Sequence, residues 1–146
     1  MTLKPLFVSA ALGMLCLGSA CGEKATELPT VPAQRPINLA NEVETVATNS
    51  WTAMPIEIPY KCSLAISADV VRGNSLTMML TNSKGIQRLK THKSGSYLGE
   101  FYAPHTITFR HTGRVNQGTY YFVMRDKHLG EPFSSSDVSV KASIEP

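Results

Sequence analysis

The sequence lacks the residues and motifs by which most small enzymes are identified. Its 146 residues include only three cysteines, four histidines and one tryptophan. No Cys-x-x-Cys, His-Glu-x-x-His or Gly-x-Ser-x-Gly pattern occurs, and no glycine-rich loop precedes a helix to hold a phosphate. We therefore predict a non-enzymatic protein with no catalytic residue, no cofactor and no metal site.

The alternative function depends on side chains that only the fold would bring together. Seven acidic residues occur from Trp51 onward, each separated from the next by at least four positions. Two carboxylates from distant strands, about 5–9 Å apart, would still form a glycosidase pair. The histidines and several methionines are compatible in composition with a soft metal such as copper, although no ligand spacing is recognisable. A small periplasmic enzyme or metal-handling protein is thus the alternative.

Acidic residues are absent from residues 70–99, where five basic side chains occur. We predict a cationic hairpin there, in a domain whose net charge from Trp51 onward is +4. Such a patch favours an anionic envelope protein or polymer as partner, whereas a whole-chain charge of +3 argues against a nucleic-acid binder. Alternatively, the lysines only protect exposed sheet edges from pairing with other chains. The candidate partner-binding residues are Arg72, Lys84, Arg88, Lys90 and Lys93.

Aromatic side chains offer a second candidate surface. Sugar rings stack on exposed aromatic rings, although most of these side chains are expected in the core. The aromatic residues of this second candidate surface are Trp51, Tyr60, Tyr97, Tyr102, Tyr120 and Tyr121.

The apolar run at the N-terminus is too short to cross a membrane. It covers residues 6–17 after Lys4, whereas a spanning helix needs roughly 20 residues. It ends in Leu17-Gly18-Ser19-Ala20-Cys21-Gly22, which resembles the lipobox of bacterial lipoproteins. This resemblance implies a signal peptide over residues 1–20, lipidation of Cys21 and, because no aspartate follows the cysteine, an outer-membrane anchor facing the periplasm. Ordinary cleavage after Ala20 without a lipid is the alternative.

Whether Cys21 carries a lipid determines whether Cys62 can form a disulfide. With a lipid on Cys21, Cys62 has no partner in the mature chain, whereas without one a Cys21–Cys62 disulfide becomes possible in an oxidising compartment. Cys62 lies in an alternating apolar pattern, which predicts a small buried thiol rather than a nucleophile.

A proline-rich segment follows the cysteine. Pro29, Pro32 and Pro36 fall within eight residues, a composition typical of an extended spacer, and we assign residues 21–50 to a tether. Residues 41–48 give a weak strand signal through Val43 and Val46. The folded domain is placed at residues 51–146.

That domain shows an apolar period of two residues with frequent turn signals and no amphipathic helix of a dozen residues. We predict an all-β fold, an antiparallel two-sheet β-sandwich of seven or eight strands. Pro55 and Pro59 place the strand between them at an edge, whereas residues 119–125 are apolar on both faces and predict a central strand. His105 and His111 are expected on one strand with Ile107 and Phe109. The predicted core residues are Leu64, Ile66, Leu76, Met78, Leu80, Ile107, Phe109 and Val123.

Two motifs carry a resemblance over residues 60–146. The run Gly73-Asn-Ser-Leu-Thr-Met-Met-Leu-Thr-Asn-Ser-Lys-Gly85 and the later Gly118-Thr-Tyr-Tyr-Phe-Val-Met-Arg-Asp126 resemble small bacterial secreted sandwiches of the pre-peptidase C-terminal type, and are similar to GOLD modules. The resemblance implies a non-catalytic role in binding, anchoring or assembly. Arg125 departs from the small or acidic residue common in those families, which puts any ligand site carried over from them in doubt.

Overall fold

A computed structural model of the chain describes residues 36–91, 93, 96–127 and 133–145. These residues form two four-stranded antiparallel sheets, one in the order β1-β8-β3-β6 and the other in the order β2-β7-β4-β5. The predicted antiparallel two-sheet β-sandwich is therefore confirmed. The strands are β1 (Ile37–Ala47), β2 (Trp51–Ile58), β3 (Cys62–Arg72), β4 (Leu76–Asn82), β5 (Tyr102–Thr106), β6 (Thr108–Val115), β7 (Gly118–Arg125) and β8 (Ser135–Glu145), with one helix, α1 (Ser83–Lys90), and a 3-10 turn at Gly99–Phe101.

The core lies between the two sheets and follows the alternation of the sequence. Along β3, the side chains of Cys62, Leu64 and Ile66 are buried and the residues between them are half-buried. Phe109 of β6 meets Phe122 of β7 edge to face, with ring centroids 5.1 Å apart, which joins the two sheets. Within the described ranges, no helix is long and apolar enough to cross a membrane.

Seven of the eight predicted core residues are buried, and Ile107 is the exception because 62% of its side chain is exposed. The chain passes from one sheet to the other at Ile107, between β5 and β6, so the apparent alternation through this position is interrupted. His105 has a left-handed backbone with φ of 47° just before this corner. The expectation that His105 and His111 share one strand is therefore wrong.

The first strand of the sandwich lies inside the segment assigned to the tether. β1 pairs with β8 along its length, and Val46 at the Ser136 pair is completely buried. The strands of the sandwich therefore begin before Trp51, because pairing with β8 outweighs the weak local strand signal of residues 41–48. Cys21 and the prolines at 29 and 32 lie outside the described residues.

Two positional predictions for strands are confirmed. β2, which contains Pro55, lies at a sheet edge. β7 is central, and its two faces serve different apolar clusters: Phe122 and Met124 face the core between the sheets, whereas Val123 packs beneath α1 on the outer face.

Helix α1 was not predicted. Its N-cap is Asn82, whose side-chain oxygen accepts hydrogen bonds from the backbone N–H groups of Lys84 and Gly85, each at 3.1 Å. Ile86 and Leu89 then pack on the outer face of the second sheet. The segment read as a turn in a cationic hairpin is therefore a capped helix, and the hairpin prediction is wrong.

Candidate binding site

A shallow groove of about 470 Å³ runs along one flank of α1. Lys84 and Arg88 are one helical turn apart, so they lie on the same flank together with Gln87. The opposite wall is Ser96, in the segment that returns from the helix towards β5. The residues lining the groove are Ser83, Lys84, Gln87, Arg88 and Ser96.

The wall at Ser96 is fixed to the sheet. The hydroxyl of Thr81 donates to the Ser96 carbonyl, and the backbone N–H of Leu98 donates to the carbonyl of Leu80 at 3.0 Å. Gly85 permits the close approach of this segment, because a Cβ atom there would lie 2.6 Å from the Ser96 carbonyl oxygen. The two sides of the groove are therefore held by β4, and its width does not depend on loop contacts alone.

The structure divides the five predicted basic residues. Lys84 and Arg88 line the groove, and Lys90 and Lys93 are exposed at and after the end of α1. Arg72 lies at the end of β3 in the other sheet, where its Nε forms a 3.1 Å ion pair with Asp137.

Neither Lys84 nor Arg88 of the groove forms an ion pair with a described carboxylate. In the part of the chain that the structure describes, the ion pairs are Arg72–Asp137 and Arg110–Asp69, at 3.1 and 2.6 Å. Helix α1 has no acidic residue in its first turn and two basic residues, Arg88 and Lys90, in its last. The groove therefore carries two cations, Lys84 and Arg88, and α1 itself contains no acid that would offset them.

An aromatic pair lies next to the groove along the chain. The ring of Tyr97, the residue after Ser96, stacks on the ring of Tyr102 of β5, with centroids 4.3 Å apart and planes 16° apart. Tyr97 is 46% exposed. Trp51 and Tyr121 are half-buried against the cluster beneath α1. Among the aromatic candidates, Tyr97 is thus the exposed one that directly follows a residue of the groove.

Four of the described carboxylates form contacts that hold the fold together, and Asp137 is one of them through its ion pair with Arg72. Asp69 receives two hydrogen bonds from Arg110, at 2.8 and 2.6 Å, and Glu57 accepts from the hydroxyl of Thr119 at 2.9 Å. Asp126 is buried and accepts from the side chain of Asn74. No group of three or more histidine, cysteine or acidic residues that would hold a metal occurs within the described ranges. His92 and His128 lie outside them.

Cys62 is buried on the inner face of β3. Burial raises the pKa of its thiol, because the thiolate would lose solvation. The protonated thiol is a poor nucleophile. The alternative disulfide partner, Cys21, lies outside the described residues.

Comparisons with known proteins find similarity in structure but not in sequence. No protein-family model and no curated protein matches the chain. The pre-peptidase C-terminal domain of collagenase from Bacillus anthracis is similar with a TM-score of 0.46 and 14% identity, over 68% of this chain and 88% of that domain. The carbohydrate-binding module CBM6cm-2 of lichenase 5A from Cellvibrio mixtus, solved with cellotriose, has a TM-score of 0.37 and 14% identity, over 75% of this chain and 89% of that module. Both neighbours are β-sandwich modules.

Proposed function

We propose that the protein is a non-enzymatic binding module of the bacterial cell envelope. In this proposal Cys21 carries the lipid that anchors the chain in the outer membrane, and the sandwich faces the periplasm. The α1 groove captures an anionic partner, either a cell-envelope polymer or an envelope protein. The observation that carries the proposal is the Lys84–Arg88 pair, which lines a groove and forms no ion pair within the described ranges.

The positive charges of Lys84 and Arg88 destabilise α1 itself. Like charges four residues apart destabilise an isolated helix by about 0.2–0.5 kcal/mol, and a basic residue in the first turn opposes the helix dipole. Lys84 and Arg88 are such a like-charged pair, and Lys84 also lies in the first turn, whereas Arg88 in the last turn interacts favourably with the dipole. Helix α1 contains no acid that would offset the repulsion between the two side chains. An anion bound between their side chains would remove the repulsion.

The surroundings of the groove favour a polymer of acidic sugars over an acidic protein. Ser83, Gln87 and Ser96 supply hydroxyl and amide groups that suit sugar hydroxyls. The exposed ring of Tyr97, held flat by its stack on Tyr102, offers a face on which a sugar ring can pack. An acidic protein would be bound through the basic side chains alone and would not require the exposed ring of Tyr97.

The binding test compares three probes on the full chain: a polyuronic acid, a neutral polysaccharide and polyglutamate. We expect the polyuronic acid to bind most tightly, and binding to weaken at 1 M salt, where the Debye length falls to about 3 Å. The double variant Lys84→Glu/Arg88→Glu should lose at least about tenfold in affinity, whereas the matched variant Lys61→Glu/Lys141→Glu, with the same change in net charge, should bind as the wild type does. Equal losses in both variants would contradict a site at α1, and preference for polyglutamate would favour an acidic protein.

The anchor is tested separately. Intact-mass analysis of the membrane fraction should show a lipid-modified N-terminus at Cys21, and Cys21→Ser should leave unprocessed precursor or release soluble protein. An unmodified Cys21 at the mature N-terminus would contradict the anchor without affecting the groove.

A further inference from the structure

Three apolar side chains are exposed at one end of the β1-β8-β3-β6 sheet. Val71 precedes the last residue of β3, Ile107 directly precedes β6, and Phe133 lies two residues before β8. Their exposed fractions are 63%, 62% and 44%. Because β3 is antiparallel to both β6 and β8, its last residues lie beside the first residues of those two strands. The three side chains therefore belong to adjacent strands about 5 Å apart, and we call them the apolar end.

The other exposed apolar side chains of the described ranges do not gather in this way. They are Ile37, Val43, Tyr60 and Tyr97, and no three of them lie on adjacent strands. A single exposed apolar residue needs no explanation, whereas a group of them marks a surface that contacts something.

Two irregularities of the backbone expose Val71 and Ile107. The register of β3 on β8 shifts between Val70 and Arg72, so Val71 is an extra residue without a partner on β8. Ile107 lies where the chain changes sheet, two residues after the left-handed His105. The N–H of Val70 donates to its carbonyl at 2.9 Å, which holds it beside β3. Neither a bulge nor a corner requires an apolar side chain, so the fold alone does not explain these two.

Phe133 is held at the same end by its carbonyl. This oxygen accepts from the Thr48 hydroxyl at 2.7 Å and from Asn74 Nδ2 at 3.3 Å. The same Nδ2 donates to the buried Asp126 at 3.1 Å, and Lys127 is the next residue along the chain. The end of β7 therefore lies close to the apolar end.

Two cations without an ion pair lie at this end of the molecule. Arg125 ends β7 and Lys127 is exposed, and neither forms an ion pair within the described ranges. Asp69 and Asp137, the acids of β3 and β8 at this end, are each paired with an arginine. The other described acid at this level is Glu44 on β1, which β8 separates from β3. The charges outside ion pairs therefore favour an anionic surface as the partner.

We propose that the apolar end inserts between the headgroups of a bilayer that contains anionic phospholipids, with Arg125 and Lys127 against the lipid phosphates. Few side chains suffice for such a contact, because apolar insertion and attraction to anionic lipids add. A stable protein interface instead uses about 20–30 residues on each side, which three side chains at the end of a sheet do not supply. The proposal rests neither on the anchor at Cys21 nor on what the groove binds.

The contact is compatible in length with an anchor at Cys21. β1 begins at the opposite end of the sandwich, where Ile37 pairs with Ile144 near the end of β8. The 11 residues of β3 span about 36 Å, whereas an extended chain from Cys21 to β1 reaches about 50 Å. A lipid on Cys21 and the apolar end can therefore lie in the same bilayer.

The test measures contact between single tryptophan side chains and lipid in the full chain. The protein is mixed with an excess of phosphatidylglycerol and phosphatidylethanolamine vesicles whose acyl chains carry bromine, which quenches any tryptophan that it meets. In a Trp51→Phe background, which removes the one native tryptophan, Val71→Trp and Ile107→Trp should be quenched. Val43→Trp, at a position of similar exposure on β1, should not. The measurement is the same whether or not Cys21 carries a lipid.

Two outcomes of this experiment would overturn the proposal. The first is that the tryptophans at positions 71 and 107 remain unquenched. The second is equal quenching at position 43, which would mean that the protein meets the lipid without a preferred end.

Serine variants at exposed positions show whether the apolar side chains supply the binding. With Ile107→Trp as the reporter, Val71→Ser/Phe133→Ser should raise the lipid concentration at half-maximal quenching at least about tenfold, because binding scales with the apolar area inserted. The control Val43→Ser/Tyr60→Ser also removes one valine and one aromatic ring of similar exposure, and should leave that concentration unchanged. Circular dichroism checks that both variants are folded. Equal effects of the two variants would contradict the proposal.

The contribution of charge is measured with the same reporter. Arg125→Gln/Lys127→Gln should bind the anionic vesicles no more tightly than vesicles of phosphatidylcholine alone. Lys61→Gln/Arg114→Gln, at the opposite end of the sandwich, should keep the preference for anionic vesicles. Loss of the preference in the second variant and not in the first would overturn the assignment to the apolar end.

The groove variant separates this contact from the proposed polymer binding. Lys84→Glu/Arg88→Glu should lose the polyuronic acid and still give full quenching of the Ile107→Trp reporter. Loss of quenching in this variant would show that the groove meets the lipid, and the proposal would fail while the groove kept an anionic ligand.

Discussion

Asn74 donates a hydrogen bond from Nδ2 to Oδ2 of Asp126 at 3.1 Å, and both residues are buried. The bond joins the residues just before β4 to those just after β7, two neighbouring strands of one sheet. The same Nδ2 also reaches the carbonyl of Phe133 at 3.3 Å, and the Asn74 N–H donates to Ser136 Oγ at 2.8 Å. Asn74 and Asp126 belong to the two motifs from which the family resemblance was drawn, so these motifs meet in a buried polar cluster.

Removing the Asn74 amide should destabilise the fold. Asn74→Ala deprives the buried carboxylate of Asp126 of a donor, which costs about 1–3 kcal/mol in the free energy of unfolding. Urea denaturation measures the loss. Thr112→Ala, at an exposed position, is the control and should change the free energy by less than about 0.5 kcal/mol. Equal stability of the two variants would show that the cluster contributes little.

Alanine substitutions at three glycines distinguish the cost of backbone strain from the cost of steric overlap with the new Cβ atom. Gly73 has φ of 118°, and a Cβ atom there would lie 2.5 Å from Cα of Ser136. Gly118 has φ of 148° but open space around it, and Gly99 has open space without a left-handed backbone. Gly99→Ala should therefore be nearly neutral, and Gly118→Ala should cost about 1 kcal/mol. Gly73→Ala should cost about 1–3 kcal/mol more.

The same denaturation measurement checks this order. A Gly73→Ala variant no less stable than Gly118→Ala would contradict the close approach of β8 at Ser136.

Truncating two apolar residues that are two positions apart tests the corner at Ile107, where the chain passes from one sheet to the other. Phe109→Ala should cost about 3–5 kcal/mol, because its ring is completely buried against Phe122. Ile107→Ala should cost less than about 0.5 kcal/mol, since most of its side chain is in solvent. Thermal denaturation of both variants distinguishes this corner from a continuous strand, in which both truncations would be costly.

Because of Cys62, the free energy of unfolding should fall as the pH becomes alkaline. Its folded-state pKa is raised by burial, so folding favours the protonated thiol. That contribution is fully present below the pKa of the unfolded thiol and is lost as the pH rises through the folded-state pKa. Cys62→Ala should therefore flatten the fall in stability from about pH 8.5 upward relative to the wild type.

Alkylation of the thiol gives an independent measurement. The folded protein should react slowly with iodoacetamide at neutral pH, and urea should restore the rate of an ordinary cysteine. Fast alkylation of the folded protein would contradict the buried position of Cys62.

The sequence by itself determines those features that repeat locally. An antiparallel strand with one face in the core needs an apolar residue at every second position, so β3 and β8 are evident from Cys62–Ala68 and Val138–Ile144 alone. The proline in β2 excludes a central place in a sheet, and the apolar character of both faces of β7 requires one. These properties depend on each strand's own residues and not on which strand is its neighbour.

Tertiary structure alone decided the remaining features, because they depend on residues far apart in the chain. Helix α1 has two large apolar residues, Ile86 and Leu89, and they are sufficient only because Met79 and Val123 lie beneath them. Ile107 continues an alternating pattern, yet the change of sheet places it in solvent.

The candidate site follows the same rule. Lys84 and Arg88 are recognisable in the sequence as part of an acid-free stretch, but their common flank requires the helix. The wall at Ser96 requires the bond that Thr81 donates across the fold, and the position of Tyr97 requires its stack on Tyr102. Charge composition is a property of the chain, whereas a groove exists only where separate segments are packed at a fixed distance.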